Sequence, residues 1–355
     1  MIDRDDLRAA TAAGVISEGQ AASLASLADS RRGAREGLAA GDEPFELFKG
    51  LNEIFIVVGL IILASGWVGV TGLFLPSMTG FMTIASVGAL SAALLWLMSE
   101  YFVVRRRMVA PSIALSVMFA MTAFGTFGAI FAEPFMVAQN DFASLPLPAV
   151  LGTLAVLIYW LRFRVPFALA LVAVGLFCIA VLVAANARGT PASFDEMFKL
   201  SAVGPFAWIT LLLGLAVFAV AMVFDMSDPH RVTRRSANGF WLHLVAAPAL
   251  VNTIALTLLE NDANLALLIV MLVFALVAVV IDRRSFLIAA IGYIVTLSAT
   301  VFQAQSAAFT ILVLGIALLI LGAFWAPIRA AILRPLSGIL PLDRLPPTSI
   351  PKDTV

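Results

Sequence analysis

The chain is poor in charge, in cysteine and in histidine. Charged residues make up 12% of the 355, against roughly 25% in an ordinary soluble domain. A water-soluble fold of this size is excluded on that ground. The single cysteine, Cys178, sits inside an apolar run, which rules out an internal disulfide, a thiolate metal cluster and a CxxC redox pair. Neither a phosphate-binding GxxxxGK[ST] loop nor an HExxH helix occurs, so nucleotide hydrolysis and zinc proteolysis lack their usual signatures. The first outer loop, around Thr71 to Met78, has no acidic residue, which counts against a glycosyltransferase with a catalytic carboxylate there. Basic residues are scattered without aromatic interleaving, so nucleic acid is not an expected partner. Whether the protein is an enzyme stays open, with a non-enzyme the favoured reading, and the residues suggest no cofactor, no metal and no catalytic residue.

Apolar residues are abundant, at 62%. Runs of about 20 uncharged residues recur from Leu51 to Ala326, the length one helix needs to cross roughly 30 Å of hydrocarbon. The expected fold is all-α, a polytopic transmembrane bundle of about ten helices with both termini cytoplasmic. It has three parts: a cytoplasmic helical hairpin and linker over 1–50, the transmembrane domain over 51–326, and a cytoplasmic tail over 327–355. The first 50 residues are polar, so no cleaved signal peptide is expected.

The ten segments fall near 51–70, 79–99, 109–132, 145–161, 165–185, 201–224, 237–259, 264–281, 286–304 and 307–326. The fourth carries Pro146 and Pro148 in its first turn, where proline is tolerated. Phe286 to Ala326 contains no charge and would be about 60 Å long as one helix. It must therefore fold back, with Gln303, Gln305 and Ser306 at the tip. With the N-terminus inside, 20 of the 22 Lys and Arg residues fall on inner segments, and only Arg188 and Lys199 lie outside. Positive residues resist translocation, so this asymmetry sets the orientation. All six tryptophans lie near segment ends, as in an aromatic belt at the headgroup level. Basic residues precede four apolar segments, at Arg106-Arg107, Arg162-Phe163-Arg164, Arg234-Arg235 and Arg283-Arg284. Topogenic charge or a degenerate repeat of helical hairpins would each give this pattern.

In the N-terminal segment Leu7 to Ala13 reads as a helix stopped at Gly14. Ser17 and Gln20 have the spacing of a capping box for a second helix, with Ala21, Leu24, Ala25 and Ala28 as its apolar seam. Asp29 to Glu43 reads as a solvated linker. The pattern Leu7…Gly14-Val15-Ile16-Ser17-Glu18-Gly19-Gln20-Ala21, a basic linker and then many helices resembles a family of bacterial membrane proteins of unknown function. Phe240-Trp241-Leu242-His243 through Pro248, and the turn Asp282-Arg283-Arg284, are similar to proteobacterial membrane proteins. The resemblance implies a multi-pass protein of the bacterial inner membrane and no particular activity.

Ionisable groups inside a membrane domain are the default functional pointers, because an unpaired charge near its centre costs about 2.5–3.5 kcal/mol on insertion scales. The candidates are Glu53 and His243, with the polar Asn252. Glu46, Lys49 and Glu53 share a helix face, where Lys49 could neutralise the deeper carboxylate. His243 and Asn252 are about 900° apart along one helix, hence on opposite faces. Pro248 lies between them and frees the carbonyl of Leu244. Stripes at Ala85–Ala89–Ala93, Ser65–Gly69 and Gly125–Ala129 predict close helix contacts. Two functions fit: a transporter of a small solute or ion, and a non-transporting scaffold or regulatory subunit. The expected partners are the lipid bilayer and a protein docked on the N-terminal segment.

Overall fold

A computed structural model describes residues 4–31, 51–74, 80–133, 141–191, 193–202, 204–231, 234–283, 319–336 and 341–346, with isolated positions between them. The described residues are helical, with no strand. Two short helices open the chain, α1 (Arg4–Ala12) and α2 (Glu18–Arg31). Eight longer ones follow: α3 (Leu51–Phe74), α4 (Phe81–Ser99), α5 (Val109–Phe131), α6 (Pro146–Phe163), α7 (Pro166–Arg188), α8 (Phe206–Met226), α9 (Arg234–Glu260) and α10 (Asn264–Ile281). A short helix, α11 (Trp325–Leu333), comes last.

Seven of these, α3 to α9, are long and apolar enough to cross a membrane. Large apolar side chains such as Phe55, Ile62, Val68 and Leu73 point outward, an arrangement that lipid favours and water penalises. A multi-pass membrane protein fits these helices. Seven such helices are found among the described residues, which does not support the expected count of ten. The apolar part of α10, Leu265–Ile281, is shorter than a full span. The expected ninth segment, and all but the end of the tenth, lie outside the described residues. The linker from Asp29 to Glu43, together with Glu46 and Lys49, lies outside them in the same way, apart from the end of α2.

The chain divides into two compact units. The first spans residues 44–196 and 203–209. Its helices pack glycine against a bulkier side chain. A Cβ added at Gly88 would come within 2.3 Å of Thr126, one at Gly152 within 2.5 Å of Phe124, and one at Gly175 within 2.3 Å of Thr153. These contacts tie α4 to α5, α5 to α6 and α6 to α7. The stripes expected from the sequence do not make them. Ala89, Ala93, Ser65, Gly69 and Gly125 are exposed, because each groove is filled by a side-chain knob and not by a second backbone. Trp96 also departs from the aromatic belt: it packs edge-on against Phe119, Tyr159 and Phe163, with centroids 4.8–6.1 Å away. Trp67 likewise donates to Ser91 Oγ at 2.7 Å.

The second unit spans residues 1–43, 197–202 and 210–355. In it α1 and α2 form a hairpin that turns at Gly14, whose φ of +70° suits glycine. The capping box at its second helix is formed: Ser17 N donates to Gln20 Oε1 at 2.9 Å, and Gln20 N to Ser17 Oγ at 3.2 Å. The seam is Leu7 with Ala21 and Ala22, whereas Leu24 and Leu27 are exposed. The apolar core lies between α9 and α10, around Val251, Leu267, Met271 and Ala278.

Candidate functional site

The three residues singled out in the sequence have different surroundings. Glu53 is buried in the first unit, where its carboxylate accepts the N–H groups of Val109 at 3.3 Å and Ala110 at 3.1 Å. Those are the first two N–H groups of α5, and the next residue, Pro111, has none to offer. Glu53 thus caps a helix whose own N-cap, Met108, makes no side-chain cap bond. A carboxylate in that place is stabilised by the positive end of the helix dipole. Asn252 is half-buried, nine residues beyond His243 on α9, which runs unbroken through Pro248.

His243 is fully buried in the second unit and is the centre of a charged cluster. Its Nε2 lies 2.9 Å from Asp225 Oδ2. The same carboxylate accepts Arg283 Nε at 3.0 Å on Oδ2 and Arg283 Nη2 at 2.7 Å on Oδ1, the two-pronged geometry that guanidinium and carboxylate favour. Arg283 Nη2 also donates to the Ser236 carbonyl at 2.9 Å. Arg283 is 1% exposed and Asp225 6%. The ring of Phe218 meets the imidazole edge-on at 5.3 Å. Three elements supply the set: Asp225 stands at the end of α8, His243 two turns into α9, and Arg283 just past α10.

A glycine makes room for it. A Cβ at position 239 would sit 2.0 Å from Asp225 Oδ1 and 3.3 Å from the Ala221 carbonyl. Gly239 and His243 are one helical turn apart on α9, so the glycine admits the carboxylate and the histidine meets it.

Beside this set lies a second one. Arg231 Nη1 reaches Asp282 Oδ2 at 2.9 Å, and its Nη2 donates to the Asp282 carbonyl at 2.6 Å. Trp325 Nε1 donates to Asp282 Oδ1 at 2.6 Å, so this tryptophan serves a buried ion pair and not the headgroup belt. Arg329 donates to the carbonyls of Val279, Val280 and Pro346, which draws the C-terminal segment onto the end of α10. Among the described residues no three His, Cys, Asp or Glu side chains gather as a metal ion would require.

Sequence reasoning found His243 and missed its partners. Asp225 ends an apolar run and read as a boundary residue, while Arg283 was one of many inner-loop arginines. Asp225-Met226 closing a run that is otherwise uncharged from Phe206 was the available signal. Comparison of the chain with known protein families, with curated proteins and with solved structures finds no match.

Proposed function

We propose that the chain is a bacterial inner-membrane carrier of a small solute or ion, with both termini in the cytoplasm, and that Asp225, His243 and Arg283 form its inner gate. The observation that carries this reading is the buried contact of one carboxylate with both a permanent cation and a titratable imidazole. With His243 neutral the set is electrically balanced. A proton on His243 adds a second cation to one carboxylate and weakens the hold of Asp225 on Arg283, the kind of local charge event that biases a bistable helix arrangement. The 20 to 2 distribution of basic residues supports the orientation.

A second reading, a non-transporting scaffold, is favoured by Asp282, Arg231, Trp325 and Arg329, whose hydrogen bonds fasten helix ends together, and by the exposed Leu24 and Leu27 on α2.

The test is proton flux into proteoliposomes under an imposed potential, read with a trapped pH dye. The carrier reading expects flux above protein-free vesicles, lost in His243→Gln and kept in Glu53→Gln, since Glu53 serves only to cap α5. Flux equal to that of empty vesicles, or unaltered in His243→Gln, would leave the scaffold reading in place.

A further inference from the structure

The arginine-bearing end of the first unit has features that orientation alone does not require. Two turns meet there: the one after α4, with Arg105, Arg106 and Arg107, and the one after α6, with Arg162 and Arg164. They are joined by a salt bridge of 2.7 Å from Arg162 to Glu100. All five arginines are exposed, and Glu100 neutralises one of them.

Each turn also carries an aromatic ring under a guanidinium. Arg164 lies 4.9 Å above the Trp160 ring, and Arg106 lies 6.0 Å from that of Tyr101. The indole Nε1 of Trp160 is buried and meets no acceptor, a deficit that a buried N–H does not usually tolerate. The backbone is distorted as well. Glu100–Arg105 is a π-helical turn, a rare form that is frequent at functional sites. Arg107 and Arg164 both have φ of +53°, a conformation that costs a non-glycine residue about 1–2 kcal/mol. Glycine would serve the turn better, so the side chain is kept for another reason.

We propose that this end of the first unit binds the phosphodiester headgroup of an anionic phospholipid, held by Arg106 and Arg164, with the Trp160 N–H donating to a headgroup oxygen. Charge complementarity commits the site to a lipid: the aromatic rings are amphipathic anchors of the membrane interface, and basic pockets between helices are where anionic headgroups lodge.

The experiment uses the full chain purified in detergent and titrated with phosphatidylglycerol or phosphatidylcholine, with bound lipid counted by native mass spectrometry. Wild type should retain phosphatidylglycerol at lipid concentrations where phosphatidylcholine is lost. Each arginine contributes about five-fold near a charged lipid surface, so Arg106→Gln and Arg164→Gln should each weaken binding roughly that much. Arg164→Lys should restore most of it, and Arg188→Gln, elsewhere in the unit, should change nothing. Trp160→Phe should weaken phosphatidylglycerol binding with all arginines intact. Equal affinity for the two lipids would overturn the proposal. So would a Trp160→Phe variant that binds as wild type does, since a diffuse positive surface would then suffice. Complete displacement of the lipid by soluble glycerol phosphate would identify a free phosphate ester as the ligand and overturn the lipid assignment. Arg106 is exposed, so its variant keeps the test decisive if Trp160→Phe fails to fold.

Discussion

In the first unit the close contacts are made by Gly88, Gly152 and Gly175 against Thr126, Phe124 and Thr153. In the second, glycine contacts at Gly214 and Gly239 are joined by buried ion pairs, Asp225 with Arg283 and Asp282 with Arg231. Among the described residues the first unit buries one charged side chain, Glu53, and satisfies it with backbone N–H groups. The second buries Asp225, Asp228, Asp282, Arg283 and Arg329. The difference bears on what each part is for. Lipid supplies no hydrophobic drive between helices, so steric fit alone can hold a membrane bundle, and the first unit shows that this chain can do so. Buried ion pairs are weak evidence for stability, because their desolvation offsets much of their attraction. Their concentration in the second unit is what the proposed gate rests on.

The largest effect should come from breaking the charged set. Removing one partner of a buried pair leaves the other uncompensated and costs about 3–5 kcal/mol. Arg283→Met should therefore lower the thermal midpoint of the detergent-purified protein sharply. The double variant Asp225→Asn with Arg283→Met removes both charges together and should recover much of that loss. If the double variant is no more stable than Arg283→Met alone, the two side chains are not coupled and the contrast between the units fails.

Of intermediate size are substitutions at the glycines. Gly88→Ala must push Thr126 aside, at a cost of about 1–3 kcal/mol for overpacking. Gly125→Ala meets nothing within 4 Å and gains helix propensity, worth up to about 1 kcal/mol. The pair should thus move the unfolding midpoint in opposite directions. Destabilisation by both would mean that the expected Gly125–Ala129 stripe packs after all.

The helices were legible because length and apolarity are local properties. The eight segments expected between Leu51 and Ile281 start and end within a few residues of α3 to α10. The capping box at Ser17 was legible for the same reason, since its two partners lie three residues apart. The charged set was not, because Asp225 and Arg283 are 58 residues apart and nothing in either neighbourhood names the other. His243 could be found because an imidazole inside an apolar helix needs a partner, but the sequence could not say which. The small-residue stripes misled because spacing identifies a smooth helix face and not what fills it: Gly88 meets a threonine, while Ala89 and Ala93 are exposed.

The smallest effect concerns Glu53, the buried charge of the first unit, and it tests whether that charge is structural. Its two oxygens accept the N–H groups of Val109 and Ala110, so the interaction is that of an N-terminal cap supplied by a different helix. Glu53→Gln keeps one acceptor oxygen and the side-chain length but loses the negative charge at the positive end of the α5 dipole, worth about 0.3–1 kcal/mol. The unfolding midpoint should fall slightly, and hydrogen exchange should quicken at the amides of Val109 and Ala110 while those around Ser236 and Gly239 stay as they were. Arg283→Met should do the reverse, loosening the start of α9 before it loosens α5. A Glu53→Gln variant in which exchange is unchanged at Val109, or in which proton flux is lost, would show that this carboxylate does more than cap a helix, and the division between a sterically packed unit and a charge-bearing one would have to be redrawn.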